Sequence, residues 1–161
     1  MNIVSIGKVY RLSTSQKIPI NLKEAWSFFS SPKNLQAITP KKLKFTILSG
    51  ADRAIYPGQV IQYKVSPFLF YTAIWVTEIT HVKEEEYFVD EQRYGPYEFW
   101  HHKHFFKAIP GGVELQDVVD FKVPFGWLGR KLTKGFIERE LQQVFTYRNN
   151  KLTELFGAFK S

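Results

Sequence analysis

Two histidines on one predicted strand, flanked in sequence by two aspartates, are the residues of this chain best suited to chemistry. His102 and His104 lie two positions apart in the predicted strand Glu98–Ile109, so their imidazoles share one face of that strand. Asp90 lies on the preceding predicted strand and Asp117 on the following one. An aspartate beside a histidine fixes the imidazole tautomer and raises its pKa. The pattern predicts a polar row, Asp90–His104–Asp117, on one face of a sheet.

The turn between the first two of these strands suggests how they pair. Gly95-Pro96 ends the strand that carries Asp90. A hairpin centred just beyond this turn places Asp90 opposite His104 and Gln92 opposite His102. Directly opposite residues have Cβ atoms about 5 Å apart. This register therefore brings a carboxylate to each end of the row, whereas a slip of one residue would scatter it.

The second turn predicts the pairing on the other side. Pro110-Gly111-Gly112 separates the histidine strand from the next one. A hairpin centred between Pro110 and Gly111 places His104 opposite Asp117 and His102 opposite Val119. His104 is then predicted to lie between two aspartates.

The polar row has four interpretations. It could orient the polar end of a ligand, perform acid–base catalysis, or hold a metal ion, since two histidines and two carboxylates supply enough ligands. It could also be a buried hydrogen-bonded network with a structural role alone, because a buried aspartate needs a partner. We expect no metal ion and no other cofactor, because this face lacks a third histidine; His81 is remote in the predicted register.

A wider set of residues is predicted to line a binding cavity around the row. Arg148, on the last helix, faces inward to meet Asp90 or Asp117, or lies on the surface; the sequence leaves both open. Tyr97 and Glu98 form a rim or an exposed turn. The candidate ligand-binding residues are Tyr63, Trp75, Phe88, Asp90, Gln92, Trp100, His102, His104, Phe106, Asp117 and Arg148. His102, His104, Asp90 and Asp117 are also the candidate catalytic residues.

The order of predicted elements gives an α+β fold. Hydrophobic alternation and capping signals predict a strand, two short helices, six further strands and one long helix. Their predicted bounds are Lys8–Ile18, Asn21–Ser30, Pro32–Ile38, a strand through Leu43–Ile47, Gly58–Ser66, Phe70–Val82, Glu84–Tyr94, Glu98–Ile109, Val113–Val123 and Arg130–Phe156. Short turns between successive strands favour an antiparallel sheet of seven strands.

Composition restricts the class of protein. The 161 residues are 44% hydrophobic and 17% aromatic and include no cysteine, so disulfide and thiol chemistry are excluded. The sequence shows no apolar run of about 18 residues and no signal peptide, and we expect a cytoplasmic protein. The net charge is +7, but no nucleic-acid motif accompanies it. Lys41, Lys42 and Lys44 leave open a weak contact with anionic membranes.

The ordered motifs resemble those of the START-like, Bet v 1-like helix-grip superfamily (SRPBCC), in particular its small bacterial, polyketide-cyclase-like members. The resemblance spans nearly the whole chain. The motifs that carry it are Ala25-Trp26-Ser27-Phe28-Phe29, Pro32-x-Asn34-Leu35-x-x-Ile38-Thr39-Pro40, Trp75-x-Thr77-x-Ile79, Phe88-x-Asp90-x-Gln92, Gly95-Pro96-Tyr97, Trp100-x-His102-x-His104-x-Phe106, Pro124-Phe125-Gly126-x-Leu128-Gly129 and Phe145-x-x-Arg148.

The resemblance implies a single START-like domain, residues 1–161, in which the curved sheet wraps around the C-terminal helix. It also implies a cavity between sheet and helix for a small hydrophobic or lipid-like molecule. Members of the superfamily include carriers and enzymes, so two alternatives remain. One is a cyclase, dehydratase or hydrolase using His102 or His104 with Asp90 or Asp117. The other is a peripheral lipid-transfer module. The ligand and the oligomeric state are left open.

Overall fold

A curved antiparallel sheet of eight strands and one long helix dominate the computed structural model. The structure describes the backbone of residues 1–68, 71–123 and 126–160, and their side chains except those of 67, 68 and 126–134. The elements are β1 (Asn2–Ile6), β2 (Val9–Ile18), α1 (Leu22–Phe29), α2 (Pro32–Ala37), β3 (Thr46–Ser49), β4 (Gln59–Phe68), β5 (Tyr71–Lys83), β6 (Tyr87–Tyr94), β7 (Phe99–Ile109), β8 (Gly112–Lys122) and α3 (Gly126–Phe156), with a short 3₁₀ turn at Lys41–Leu43.

The predicted fold class is confirmed, with one strand more than the sequence indicated. The strand order is β1-β2-β8-β7-β6-β5-β4-β3, so β7 and β8, which carry the polar row, lie in the middle of the sheet. The prediction of seven strands was wrong because Asn2–Ile6 forms an edge strand on β2. A turn at Gly7, whose φ is +61°, joins the two. Residues of β1 are mostly exposed, so β1 lacks the buried alternation that identified the other strands.

Several element bounds also differ from the prediction. The third strand begins at Thr46 rather than Leu43, because Lys41–Leu43 forms the 3₁₀ turn and Lys44 has a left-handed backbone. The last helix begins at Gly126 rather than Arg130. The predicted strand start at Phe70 and the motif residues Pro124 and Phe125 lie outside the described residues.

The N-terminal helices form as their capping residues predict. The Asn21 side chain accepts a hydrogen bond of 2.9 Å from the Glu24 amide, which satisfies one of the free N–H groups at the start of α1. Proline opens α2 at its first position. The buried Ala25 and Trp26 of α1 pack into a core cluster with Phe106 of β7 and Leu152 of α3.

The concave face of the sheet packs against α3. Ile137, Leu141 and Phe145 of the helix are buried in a cluster with Leu12 of β2 and Val119 of β8. These helix residues recur at intervals of four, which is the buried stripe of an amphipathic helix. The sheet and this stripe do not close completely on each other, and the space between them is the candidate site.

The pairing of β6 with β7 differs from the predicted register. Asp90 lies opposite His102 and Phe88 opposite His104, a shift of two residues. The backbone pairing of β6 with β7 ends at Glu91, because the Gln92 side chain closes the hairpin. Gln92 donates a 2.7 Å hydrogen bond to the Tyr97 carbonyl and accepts one of 3.2 Å from the Tyr97 amide. The prediction of Gln92 beside His102 was therefore wrong, whereas the pairing of His104 with Asp117 and of His102 with Val119 is confirmed.

Candidate functional site

A cavity of about 210 Å³ lies between the sheet, the short helices and α3. Its walls are mainly apolar, and the charged and imidazole side chains that line it lie on β6, on β7 and at Glu140 and Arg148 of α3. Of the residues predicted to bind a ligand, those that line this cavity are Tyr63, Trp75, Phe88, Asp90, Trp100, His102, His104 and Arg148. The sheet positions them because alternate residues of β4 to β7 face the helix.

The three other predicted residues do not line it. Gln92 closes the β6–β7 hairpin, and Phe106 packs edge-on against Trp26, with ring centroids 5.3 Å apart. Asp117 lies behind the histidines and borders a second cavity of only about 10 Å³. Asp117 thus acts on the main cavity through the imidazoles rather than by direct exposure to it.

The two short helices supply a wall that the sequence analysis did not predict. Phe28 and Phe29 at the end of α1, and Leu35 and Ile38 at α2, line the cavity. The consecutive aromatics Phe28-Phe29, three residues before Pro32, are the available signal. They do not predict this wall, because a sequence does not show which side of a short helix borders empty space.

An aromatic wall closes one side of the cavity. The rings of Trp75, Tyr97 and Trp100 contact one another, with centroids 4.7 to 5.6 Å apart. Burial raises the pKa of the Tyr97 hydroxyl, and the nearby carboxylate of Glu140 raises it further. Tyr97 is therefore a neutral, inward-facing part of the wall, where the sequence left a rim or an exposed turn open.

Five polar side chains form one cluster, which we call the Asp–His cluster: Asp90, His102, His104, Asp117 and Arg148. The imidazoles of His102 and His104 lie against each other, with centroids 3.7 Å apart and ring planes tilted by 38°. Asp90 lies on one side of this imidazole pair, with its Oδ2 2.7 Å from His104 Nε2 and 3.5 Å from His102 Nδ1.

Asp117 lies on the opposite side of the imidazole pair. Its Oδ1 is 3.0 Å from His102 Nε2 and 2.9 Å from His104 Nδ1. Arg148 Nη1 of α3 lies 3.5 Å from the same oxygen. One carboxylate oxygen on each side thus faces both imidazoles.

Two of the four contacts between the imidazoles and the carboxylates are hydrogen bonds. His102 Nε2 bonds Asp117 at 3.0 Å, and His104 Nε2 bonds Asp90 at 2.7 Å. The two Nδ1 atoms make ion-pair contacts without hydrogen-bond geometry, at 2.9 Å for His104 and 3.5 Å for His102. His104 therefore has the closer carboxylate oxygens on its two sides.

The pKa shifts follow the same arrangement. Burial lowers the pKa of His102, and the charge of His104 lowers it further. Burial also disfavours the charged form of His104, but the hydrogen bonds to Asp117 and Asp90 outweigh it and raise its pKa. Although burial acts to raise the pKa of both aspartates, their imidazole partners and Arg148 hold it below the usual value, most strongly for Asp117.

Arg148 reaches the cluster from the helix. The residue is only 9% exposed, and its guanidinium carbon lies 5.0 Å from the centre of the Phe145 ring. Its Nε has no hydrogen-bond partner among the described residues. Of the two orientations that the sequence left open, the structure shows the inward one, towards Asp117.

The donor atoms of Asp90, His102 and His104 lie within 4.8 Å of one another, close enough to hold a metal ion. A cation would have to displace the proton that His104 shares with Asp90, and the positive charge of Arg148 is nearby. The hydrogen-bonded network suits these distances better. The expectation of no metal ion and no cofactor remains a prediction.

The basic segment before β3 reaches the cavity rim. Lys42 Nζ lies 2.7 Å from a carboxylate oxygen of Glu140 and also contacts Gln143. Glu140 lines the cavity, so this ion pair connects the 3₁₀ turn to α3 at the rim. Contact of this basic segment with an anionic membrane remains a prediction.

Comparisons with known proteins identify the fold by structure alone. No protein-family model and no curated protein matches the sequence. Among solved structures, a protein from Arthrobacter aurescens superposes with a TM-score of 0.69 at 10% identity, covering 95% of this chain and 91% of that one. Ginseng major latex-like protein 151 from Panax ginseng gives 0.66 at 12% identity, with coverage of 93% and 99%. The allergen Ara h 8.0201 gives 0.60 at 15% identity, with coverage of 91% and 99%.

The chain has the Bet v 1-like helix-grip fold. The predicted resemblance is thereby confirmed at the level of the fold, since the element order, the curved sheet and the long C-terminal helix all agree. No helix in the described ranges is both long enough and apolar enough to cross a membrane.

Proposed function

We propose that this Bet v 1-like domain binds a small, largely apolar molecule in the cavity, with the polar end of that molecule against the Asp–His cluster. The observation that carries the proposal is a cavity of about 210 Å³ with mainly apolar walls and a cluster of polar side chains that includes His102, His104 and Asp90. Binding sites for small molecules have this composition: apolar walls and a few placed polar groups.

The size of the cavity supports an organic ligand rather than a few waters. An apolar cavity of about 150 Å³ admits benzene, so this cavity admits a body of more than one ring. Unfilled apolar space costs a protein roughly 24 cal/mol per Å³. A ligand that filled the cavity would therefore recover up to about 5 kcal/mol, which corresponds to a sub-millimolar Kd before any polar contact is added.

Titration with an uncharged fluorescent probe, N-phenyl-1-naphthylamine, tests the proposal. Val144 lines the cavity from α3, whereas Gln142 of the same helix is exposed. The Val144→Phe protein, in which a larger ring occupies the cavity, is expected to bind the probe at least about tenfold more weakly than the wild-type protein. The Gln142→Phe protein is expected to bind it as the wild-type protein does.

Native mass spectrometry of freshly purified protein provides the second measurement. A bound mass that is present in the wild-type protein and reduced in the Val144→Phe protein would support the proposal and supply the ligand for identification. Equal probe binding by both phenylalanine variants, or an absence of binding by the wild-type protein, would contradict it.

A second candidate function is acid–base catalysis, and the opposite pKa shifts of His102 and His104 favour it. Two titratable groups at one cavity whose environments push their pKa values apart often act as an acid and a base. Against it, both nitrogens of His104 face carboxylates. Incubating the protein with the identified ligand decides the matter. A carrier with His104→Ala should lose affinity modestly, whereas an enzyme should lose turnover by orders of magnitude.

A further inference from the structure

We infer that the ligand presents a carbonyl or carboxylate oxygen to the guanidinium of Arg148. This inference rests on the proposed function, because it concerns the polar end of the molecule that the same cavity binds. It follows from the position of Arg148 at the cavity, from its burial and from the hydrogen-bond donors that its neighbours leave unpaired.

Arg148 is a buried cation with unpaired donors. It lines the main cavity and is 9% exposed. Its Nε has no hydrogen-bond partner among the described residues, and the 3.5 Å approach of its Nη1 to Asp117 is an ion-pair contact rather than a hydrogen bond. An arginine side chain offers several N–H donors and stays charged. Buried donors without acceptors are costly, so this guanidinium favours a partner that brings acceptor atoms.

The carboxylates of the Asp–His cluster are hydrogen-bonded to the imidazoles instead. Asp117 Oδ1, the oxygen that Arg148 approaches, forms a 3.0 Å hydrogen bond with His102 Nε2 and lies 2.9 Å from His104 Nδ1. Asp90 forms its 2.7 Å hydrogen bond with His104 Nε2. Asp117 therefore offsets the charge of Arg148 at 3.5 Å without accepting a hydrogen bond from it.

The neighbours of Arg148 on α3 do not supply the acceptor either. The centre of the Phe145 ring lies 5.0 Å from the guanidinium carbon. Such a ring attracts a cation through its π-electrons, but it has no oxygen or nitrogen to accept an N–H. Glu140, a carboxylate that α3 also brings to the cavity, lies about two helical turns away and pairs with Lys42 at 2.7 Å. We therefore expect the acceptor to come from the molecule in the cavity.

The chemistry of the guanidinium restricts the group that the ligand brings. A guanidinium donates hydrogen bonds and does not accept them, so an ammonium group on the ligand is excluded. Carbonyl and carboxylate oxygens are planar acceptors that match the planar donor fork of arginine. Asp90 also lines the cavity, and its negative charge opposes a second carboxylate nearby. A neutral carbonyl is therefore the favoured form.

Two compounds of one shape test the inference: 2-acetylnaphthalene, which has a carbonyl, and 2-isopropenylnaphthalene, in which a methylene group replaces the oxygen. Displacement of N-phenyl-1-naphthylamine measures both affinities at neutral pH for the wild-type, Arg148→Met and Arg139→Met proteins. Arg139 lies on the same helix and is exposed, so its variant is the matched control. The affinity of the ketone relative to the alkene is expected to fall at least about tenfold in the Arg148→Met protein and to stay unchanged in the control.

Infrared spectroscopy of the bound ketone provides a readout that does not depend on affinity. A carbonyl that accepts a hydrogen bond from a cation absorbs at a lower frequency than the same carbonyl in an apolar solvent. An isotope label at the carbonyl carbon separates this band from those of the protein. We expect the lowered frequency in the wild-type and Arg139→Met proteins, and a return towards the apolar-solvent value in the Arg148→Met protein.

The carboxylate 2-naphthoate distinguishes the two kinds of oxygen. Weaker binding of naphthoate than of the ketone by the wild-type protein assigns the neutral carbonyl, as the charge of Asp90 predicts. Tighter binding that the Arg148→Met substitution reduces at least about tenfold assigns the carboxylate and also supports the inference. Tighter binding that the substitution leaves unchanged contradicts it.

The outcomes separate this inference from the proposed function. An unshifted carbonyl frequency in the wild-type protein, as bound water at Arg148 would give, overturns the inference alone, and so does an equal ketone preference in the Arg148→Met protein. Binding of N-phenyl-1-naphthylamine but of neither naphthalene has the same meaning. If the folded wild-type protein binds none of these compounds, the proposed function fails and the inference fails with it.

A second variant applies if circular dichroism shows that the Arg148→Met protein is unfolded. Arg148→Lys keeps the positive charge beside Asp117, but an ammonium group lacks the planar donor fork. The carbonyl frequency of the bound ketone is then expected to differ from that in the wild-type protein. An identical frequency in the two proteins overturns the inference.

Discussion

The two histidines of the Asp–His cluster have the same carboxylate partners but opposite pKa shifts, and the cause is geometric. Both nitrogens of His104 lie within 2.9 Å of a carboxylate oxygen, so its imidazolium gains two favourable contacts. Only one nitrogen of His102 does so within 3.0 Å, and the neighbouring imidazolium opposes a second positive charge. Burial also favours the neutral form of His102 and lowers its pKa.

Nuclear magnetic resonance of the imidazole nitrogens should show this asymmetry. Because the pKa of His104 is raised above 6.5 and that of His102 is lowered below it, His104 is expected to remain doubly protonated at pH 6.5 while His102 is neutral. The nitrogen shifts are followed across a pH titration, with His104→Gln and His102→Gln proteins for assignment. Two imidazoles that titrate together near pH 6.5 would contradict the opposite pKa shifts.

Removing the Asp117 carboxylate should destabilise the fold substantially. The Asp117→Asn protein leaves Arg148 and the His104 imidazolium with one carboxylate fewer in a buried site, and breaking a buried ion pair in this way costs about 3–5 kcal/mol. Loss of the proton from His104 can reduce that cost. Urea unfolding at pH 7 measures it. Glu78→Gln is the control, since Glu78 and its partner Arg93 have side chains 29% and 49% exposed and such pairs contribute about 1 kcal/mol or less.

The effect of Asp117 should also depend on pH with a defined sign. The folded state holds the pKa of Asp117 well below 3.8, so its stabilising contribution is fully present above pH 3.8. That contribution is lost as the pH falls through the folded-state pKa. The difference in unfolding free energy between the wild-type and Asp117→Asn proteins is therefore expected to shrink on acidification below pH 3.8. A difference that grew on acidification would mean that Asp117 is buried protonated.

At the scale of elements, the close approach of β2 and β8 depends on one glycine. A Cβ at Gly112 would overlap the carbonyl oxygen of Ile18 on β2, although the backbone of Gly112 itself is not in the left-handed region. Gly112→Ala is therefore expected to cost about 1–3 kcal/mol, as overpacking does. Gly135 in α3 has open space around it, so Gly135→Ala should stabilise the protein by about 0.5–1 kcal/mol. Thermal unfolding compares the two, and opposite signs are the expected result.

The strand faces could be predicted from the sequence, but one of the registers could not. Side chains alternate with a period of two, so an error of two residues in the β6–β7 pairing left Asp90 on the same face as His102 and His104. The Asp90–His104 contact was therefore anticipated, although it is diagonal rather than directly across. The register itself depends on the Gln92 side chain bridging the backbone of Tyr97, and hydrophobic alternation carries no information about such a bridge.

The contacts between distant elements were harder to predict than those within the sheet. Whether the Arg148 side chain faces inward depends on how α3 lies across the sheet. The cavity wall formed by Phe28 and Leu35 depends on where the two short helices meet the sheet. Neither is set by local periodicity. The exposed edge strand Asn2–Ile6 was missed for a related reason, since a strand without a buried face lacks the alternating pattern.

At the scale of the whole molecule, the cavity couples ligand binding to stability. A ligand that binds only the folded protein adds about 2.7 kcal/mol of stability at a concentration of 100 times its Kd. For a domain of this size, each kcal/mol corresponds to about 2–4 °C in Tm, so a saturating apolar ligand should raise the Tm by roughly 5–10 °C. The same addition should raise the Tm of the Val144→Phe protein at most about half as much, because binding that is about tenfold weaker leaves the ligand at no more than about ten times its Kd. An equal rise in both proteins would place the binding site elsewhere, on the outer surface of the sheet or helix rather than in the cavity between them.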